Sequence, residues 1–222
     1  MKIIRIPKKS GGVRIIYAPN KKEKTELRAL LKKIPQPKVQ LQSAHGFMKE
    51  RSPVTNAKQH VPNFNPKAIM ISCDISNFFP NVQPTKVSKF IPEEVREEIM
   101  SKCFPDGAAQ QGLPTSPALA NLAGISIDEA IRKKIKKKWH GAIYTRYADD
   151  LTISFPQPPE DGVTKIIEEI EEIVRRCGYS MNKKKTRIQR ASFGRWGCCG
   201  VMIDDNGIYA ARRQRRMLRL YK

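Results

Sequence analysis

Two places in this chain put carboxylates where a core packer would not. Asp74 closes the apolar run Ala68–Cys73, in Ile71-Ser72-Cys73-Asp74-Ile75, and Asp149 with Asp150 separates two β-rich stretches in Tyr147-Ala148-Asp149-Asp150-Leu151. An Asp at a strand end is ordinarily a cap or a turn former. If the strand ending at Asp74 pairs beside the Tyr147 hairpin, however, three carboxylates converge at one sheet edge. Clustered carboxylates repel one another unless something cationic joins them, and hard divalent ions bound by oxygen do so. Two Mg²⁺ ions ~3.5–4 Å apart can activate a primer 3′-hydroxyl, stabilise the transition state of phosphoryl transfer and neutralise a leaving pyrophosphate. The chemistry these acids could do is nucleotide addition.

The elements that must position them can be read from the same sequence. Ile3–Ile6 and Val13–Tyr17 read as strands joined by the basic turn Pro7 to Gly12. Glu23–Ile34 and Pro92–Cys103 are helix-like, and the proline-rich 35–66 stretch reads as irregular. Ala68–Cys73 has the pattern of a buried strand. Ser116 is expected to N-cap a long helix with Pro117 in its first turn, and Leu119, Leu122, Ile127, Ile131 and Ile135 recur along it at helical spacing. Ile143–Tyr147 and Leu151–Phe155 form a hairpin with the acids at its tip. Thr164–Cys177 alternates an apolar face with glutamates, and Gly178 stops it. Gly200–Ile203 and Ile208–Tyr209 flank a turn at Asp204–Gly207. This is an α+β plan, an antiparallel sheet covered on one face by helices.

Charge names the class of partner. The 222 residues carry 42 Lys+Arg against 21 Asp+Glu, a formal net charge of +21. Twelve of the Lys and Arg lie in residues 183–222 with only Asp204 and Asp205 against them, and a second basic run spans Arg132–Lys138. Such an excess points to nucleic acid. No apolar run approaches the ~20 residues of a membrane span, so no membrane role is expected. Five cysteines, an odd number with Cys198 and Cys199 adjacent, point to a reduced, cytoplasmic protein, and no Cys/His spacing makes a zinc site.

Several motifs together carry a family resemblance. Tyr147-Ala148-Asp149-Asp150, preceded by the β-rich Ile143–Arg146, resembles the YxDD motif of reverse transcriptases, and further matches come in the family's order. Lys8-Lys9-Ser10-Gly11-Gly12-Val13-Arg14 resembles the first fingers motif and Ala44-His45-Gly46-Phe47 the second. Cys73-Asp74-Ile75-Ser76-Asn77-Phe78-Phe79 resembles motif A, Gln111-Gly112-Leu113-Pro114-Thr115-Ser116-Pro117 motif B, and Asn182-Lys183-Lys184-Lys185-Thr186 motif D. Asn56-Ala57-Lys58-Gln59-His60 resembles the NAxxH signature of retron enzymes, while Cys198-Cys199-Gly200 stands where those enzymes usually carry Val-Thr-Gly.

The resemblance implies an α+β right-hand polymerase of fingers and palm with the thumb largely absent. Residues 1–66 would be fingers, 67–90 the palm with motif A, 91–110 a connection, 111–200 the palm with motifs B, C and D, and 201–222 the basic end of the palm. The implied activity is RNA-directed DNA synthesis in a bacterial or phage-encoded, cytoplasmic, retron-like enzyme, and retron enzymes commonly serve anti-phage defence. Asp74, Asp149 and Asp150, with backbone from Ile75, would hold two Mg²⁺ ions. Lys8 or Lys9, with Arg14, would grip the dNTP phosphates. Phe79 would be the steric gate, and Gln111 and Gly112 would pack beside the incoming nucleotide. Lys185 would donate a proton to pyrophosphate or simply bind phosphate. Tyr147, Arg187, Arg212 and Arg213 would meet primer and template. Asn56 and His60 are candidates for RNA contact, with a structural role for His60 equally open. The implied partners are an RNA template, a DNA or RNA primer, a structured non-coding RNA, and a protein or separately supplied thumb. Two other readings use the same residues: a thumbless RNA-binding protein with little activity, and a group II intron-type or other defence reverse transcriptase.

Overall fold

The computed structural model describes residues 1–7 and 11–211. Lys8, Lys9, Arg212 and Arg213 lie outside the described residues. In chain order the elements are β1 (Lys2–Pro7), β2 (Val13–Ala18), α1 (Lys21–Leu31), α2 (Pro53–Lys58), β3 (Ile69–Asp74), α3 (Pro84–Val87), α4 (Glu93–Lys102), α5 (Ser116–Lys137), β4 (Ile143–Tyr147), β5 (Asp150–Phe155), α6 (Val163–Arg176), β6 (Arg187–Arg190), β7 (Trp196–Cys198), β8 (Val201–Asp204) and β9 (Gly207–Ala210). No described helix is long and apolar enough to cross a membrane. The chain forms two compact units, one from Met1–Leu41 with Asn77–Ile125 and one from Gln42–Ser76 with the residues from Ser126 onward. Residues 42–66 belong to the second of these units.

In the first unit β1 and β2 pair as an antiparallel hairpin, Ile4 opposite Ile16. A reciprocal cap opens α1: the Asn20 side chain accepts from the Glu23 N–H, and the Glu23 carboxylate accepts from the Asn20 N–H. Leu27 and Leu30 are the buried face of that helix. Ile91 and Ile99 are fully enclosed beside α4.

The second unit is built on a four-stranded antiparallel sheet, ordered β4-β5-β3-β6. In β3 only Ser72 is not fully buried, and in β5 Leu151, Ile153 and Phe155 alternate with the buried hydroxyls of Thr152 and Ser154. Ile166, Ile170 and Val174 of α6 are buried, as are Ile127 and Ile131 of α5. Glu169 of α6 binds the Trp139 indole N–H at 3.1 Å and Lys134 and Lys138 at 3.1 Å each, tying α6 to the end of α5. A smaller sheet, β7-β8-β9, packs Trp196, Cys198, Val201 and Ile203 against Ala57 of α2 and Ala68 and Met70.

Three local features depart from the sequence reading. The irregular stretch contains α2, opened by a Ser52–Thr55 capping box with Pro53 in the first turn. β6, β7 and α3 were not expected at all. Ser116 is not a side-chain cap: the Leu119 N–H donates to the Thr115 carbonyl (3.1 Å), so Thr115 holds the cap position, and the Ser116 hydroxyl donates to the Gln110 carbonyl (2.6 Å).

Candidate active site

The register of the larger sheet sets the site. Asp74, the last residue of β3, stands directly opposite Asp150, the first of β5, and Asp150 in turn stands opposite Tyr147 at the end of β4. Ala148 and Asp149 are left to make the turn, with Ala148 left-handed at φ +56°. The Ile75 N–H donates to the Asp149 carbonyl (2.9 Å), so the hairpin tip is stitched to the end of β3 as well as paired with it. Three carboxylates thereby share one end of the sheet.

What holds this tip lies mostly outside the motif itself. Residues 43–46 run beside β4: Arg146 donates its N–H to the Ser43 carbonyl and accepts the His45 N–H, both at 2.7 Å. Gly46 then passes so close to the turn that a Cβ there would lie 2.5 Å from the Ala148 nitrogen. Only glycine permits that approach. The Arg146 side chain is fully buried. Its guanidinium binds the equally buried Asp128 of α5 through two 2.9 Å contacts and donates to the Ala148 carbonyl at 3.3 Å. The Tyr144 hydroxyl completes the Asp128 shell at 2.7 Å. The guanidinium thus bridges a core helix to the strained turn.

The other flank is the segment before β6. The Asn182 N–H donates to the Asp74 carbonyl (2.7 Å), the Ser76 N–H to Ser180 (2.8 Å), and Ile75 bridges Met181. This places Lys185 so that its ammonium binds the Asp74 carboxylate at 2.7 Å. That hydrogen bond raises the Lys185 pKa. The Asp150 carboxyl is pushed up to about 6, first by desolvation at the strand ends and then by the facing charges of Asp149 and Asp74; Lys185 and Arg187 pull the other way.

The donor set suits a hard cation. It consists of carboxylates, desolvation and then the facing charges of Asp149 and Asp74 lift Asp150, and a lysine ammonium already sits on Asp74 as a counter-charge. Among the described residues, though, no three His, Cys, Asp or Glu side chains are gathered as a metal cage. The acids expected to ligate metal are neighbours at one sheet end, with Asp74 engaged by Lys185.

In the first unit the structure brings together Gln111, Gly112 and β2. The Tyr17 N–H donates to the Gln111 carbonyl at 2.8 Å, and Gly112, at φ +102°, lies where a Cβ would come 2.3 Å from the Tyr17 carbonyl oxygen. The Tyr17 hydroxyl bonds Asp106. Arg14 is exposed on the same strand, and Phe79 is half-buried in a short turn with its ring 6.2 Å from that of Phe78. In the second unit Tyr147 is half-buried and Arg187 is exposed on β6.

Asn56 and His60 need correction as RNA contacts, since both are 0% exposed. The His60 ring is sealed between the Ser154 and Thr145 hydroxyls, each at 2.8 Å, and burial holds its pKa at about 3. The Asn56 amide donates to the Cys198 sulfur at 3.1 Å. Their roles are structural. Sequence reasoning missed Asp128 altogether, and gave no role of their own to Gly46, Tyr144, Arg146 and Asn182, which it named only inside motifs or strands. One signal was available: Asp128 sits three residues before Ile131 and seven before Ile135, a charge on the apolar stripe of α5.

Comparison with known proteins bears on the family and the fold. The family described as Reverse transcriptase (RNA-dependent DNA polymerase) matches residues 6–198. The chain is 29% identical to the retron Mx65 reverse transcriptase of Myxococcus xanthus over 96% of its own length and 53% of that protein's. It is 30% identical to the retron Ec73 reverse transcriptase of Escherichia coli, over 97% and 73% respectively. The chain thus spans about half the length of the Mx65 relative. Among solved structures, Candida albicans telomerase with a fragment of telomeric RNA superposes with a TM-score of 0.66 at 13% identity, covering 95% of this chain and 46% of that one. Apo telomerase from Candida tropicalis gives 0.64 at 13%, covering 96% and 48%. At such identity the likeness is one of fold.

Proposed function

This chain belongs to the reverse transcriptase family, and from that premise we propose that it is the fingers and palm of a retron-like RNA-directed DNA polymerase, extending a primer 3′-hydroxyl with dNTPs on an RNA template. The observation that carries the reading is the sheet register that sets Asp74 opposite Asp150 with Asp149 stitched to Ile75. A protein that only binds RNA has no need to hold three acids together at the cost of lifting one pKa.

Asp74, Asp149 and Asp150, with backbone at Ile75, are the residues that would hold two Mg²⁺ ions. When bound, such ions acidify the primer hydroxyl and neutralise charge on the phosphates. The chain's own residues do the rest. Asp150, its carboxyl near 6, supports the primer end beside Tyr147. Lys185 lies on the acids and is placed to neutralise or protonate the departing pyrophosphate, its proton held tightly until the Asp74 contact is exchanged. Arg14, with Lys8 or Lys9, is proposed to hold the triphosphate, with Gln111 and Gly112 beside the base. The Phe79 ring excludes a ribose 2′-hydroxyl and so selects dNTPs. The RNA partner is proposed to be a structured non-coding RNA, and the setting the bacterial cytoplasm.

The test is primer extension on an RNA template with Mg²⁺ and labelled dNTPs, beside an Asp149→Asn/Asp150→Asn control. Extension by the unaltered protein that falls to background in the control is the expected result. Tight RNA binding by both proteins with no extension by either would instead identify an RNA-binding protein that keeps the polymerase fold.

A further inference from the structure

Beyond the catalytic acids, the second unit carries an exposed aromatic that its own core does not explain. Phe193 is 87% exposed, the largest exposure among the described large hydrophobic residues. It belongs to a short 3₁₀ turn, Ala191–Phe193, that leaves β6, the open edge of the four-stranded sheet. The residues leading to it are one-signed. From Lys183 to Arg195 there are six Lys or Arg and no Asp or Glu. Three of the six are spent: Lys183 on Glu171, Lys185 on Asp74 and Arg195 on Asp204. Lys184, Arg187 and Arg190 form no ion pair among the described residues, and all three are exposed.

Arg187 and Arg190 lie on β6 three residues apart, on opposite faces of the sheet edge. Arg187 stands opposite Ser72 of β3, two residues before Asp74. Arg190 is three residues farther along β6, about 10 Å at strand rise, and Phe193 comes three residues after that. Cations left without an acid on this edge suit a polyanion, and a bare ring beyond them suits an unpaired base. Behind the turn is an open cavity of about 420 Å³. Ser192 and Gly194, the chain neighbours of Phe193, line it together with Arg195, Asp204 and Asp205. Its two carboxylates repel a phosphate but accept from the amino and imino groups of a base. The Arg195 guanidinium, held by Asp204 and lying 4.5 Å from the Tyr209 ring centre, is a fixed part of its wall.

We propose that Phe193 is a stacking platform for an unpaired nucleotide, with Arg190, the exposed and unpaired cation nearest to it in the chain, holding a phosphate beside it. The ligand is a single-stranded nucleic-acid segment, either unpaired RNA or a single DNA strand. This rests on the polymerase reading only for the identity of the nucleic acid; the site itself is a binding site and is tested without catalysis.

The test is fluorescence anisotropy of the whole chain with labelled 12-nucleotide RNA, the same sequence as DNA, and a blunt duplex, across a salt series. Phe193→Ala is expected to weaken single-strand binding by about 5–150-fold, the range for loss of one stacked base. Phe193→Trp should restore it, and the slope against salt should stay the same. Arg190→Gln is expected to reduce that slope by about 0.7, one phosphate on a single strand. Duplex binding should change less than single-strand binding in Phe193→Ala. Whichever of the RNA and DNA arms loses more identifies the strand. Equal affinity of Phe193→Ala and the unaltered chain for both single strands would overturn the proposal, and so would equal losses on single strand and duplex. A change in oligomeric mass for Phe193→Ala without any change in nucleic-acid binding would make this surface a protein contact instead. Absence of primer extension with single-strand binding intact would count against the polymerase reading and leave this site standing.

Discussion

Arg146 and Asp128 show how much of the site rests on two residues that touch no substrate. Both are fully enclosed, so each neutralises a charge that the core could not otherwise hold. Burying such a pair adds little net stability, but removing one partner strands the other at a cost of about 3–5 kcal/mol. Asp128→Ala is therefore expected to lower unfolding stability by that amount in urea titration. Arg146→Lys, which keeps the charge and loses the two-pronged fork, should give an intermediate loss and a disproportionate fall in extension rate, because the Ala148 carbonyl loses its donor. His60 makes a second residue-scale prediction, in pH. Its ring stays neutral to about pH 3 in the folded chain, whereas an unfolded histidine takes a proton near 6.5. The stability it contributes is whole above about pH 6.5. As pH falls below that value the unfolded chain gains a proton that the folded one refuses, and stability drops by about 1.4 kcal/mol per pH unit. His45, held at about 4 by burial and then by Arg51, adds to the same slope. Urea midpoints at pH 7.5 and 5.0 should differ by about 2 kcal/mol per buried histidine, and His60→Gln should remove its share of the slope even if it lowers stability at both pH values.

At the scale of elements, the hairpin tip that carries the acids depends on close backbone approaches rather than on strand pairing alone. Gly46 lies where a Cβ would meet the Ala148 nitrogen at 2.5 Å, and that neighbour is backbone, which cannot rotate away. Gly46→Ala is expected to displace the turn carrying Asp149, and a displacement of order 1 Å costs about 100-fold in rate. The overpacking itself should cost only about 1–3 kcal/mol of stability. A kcat loss far exceeding the loss in folded fraction, measured by extension kinetics beside a thermal melt, is the signature. Gly112→Ala should act in the first unit by a different route, with strain at φ +102° as well as the 2.3 Å approach to Tyr17. These contacts also explain what could be read from the sequence. β3 was legible because a buried strand shows as an apolar run, and β4 and β5 because two stretches rich in β-branched and aromatic residues flank a short acidic turn. The three acids were legible because they interrupt those runs. The β6 strand was not, since Arg-Ile-Gln-Arg on an exposed edge has no apolar alternation to show. Nor was α2, six residues long, although Ser52-Pro53 carries the same cap-then-proline signature that marked α5. The Lys185–Asp74 pair spans 111 residues and the Asp128–Arg146 pair joins a helix to a strand, so neither has a local pattern.

For the whole molecule the relevant quantity is where the charge lies. The first unit holds 16 Lys+Arg against 7 Asp+Glu and the second 26 against 14, so each is basic in its own right. Within the first unit the excess is confined to residues 1–41, where 12 Lys+Arg face 2 Asp+Glu; residues 77–125 carry one more acid than base. In the second unit the acids of α6 are largely taken up by neighbouring lysines and arginines, through Glu169, Glu171 and Glu172. Most of the unspent charge is left in the β1–β2 end and in the stretch from Lys183 onward. A surface of this kind attracts any polyanion, so bare affinity for RNA says little about the cognate partner. The two contributions separate by salt. Phosphate contacts release counterions, and six of them on a single strand give a slope of about −4 in log K against log salt. Base stacking and hydrogen bonds to base edges release none. Random-sequence RNA should therefore bind tightly at 50 mM salt and be nearly lost at 300 mM. A structured RNA that this protein recognises should start little tighter yet keep most of its affinity, with a shallower slope. Titrating pooled structured RNAs at both salt concentrations and keeping those that survive the higher one would identify the partner. If every RNA fell on one steep line, binding would be electrostatic alone and selection of the template would have to come from elsewhere.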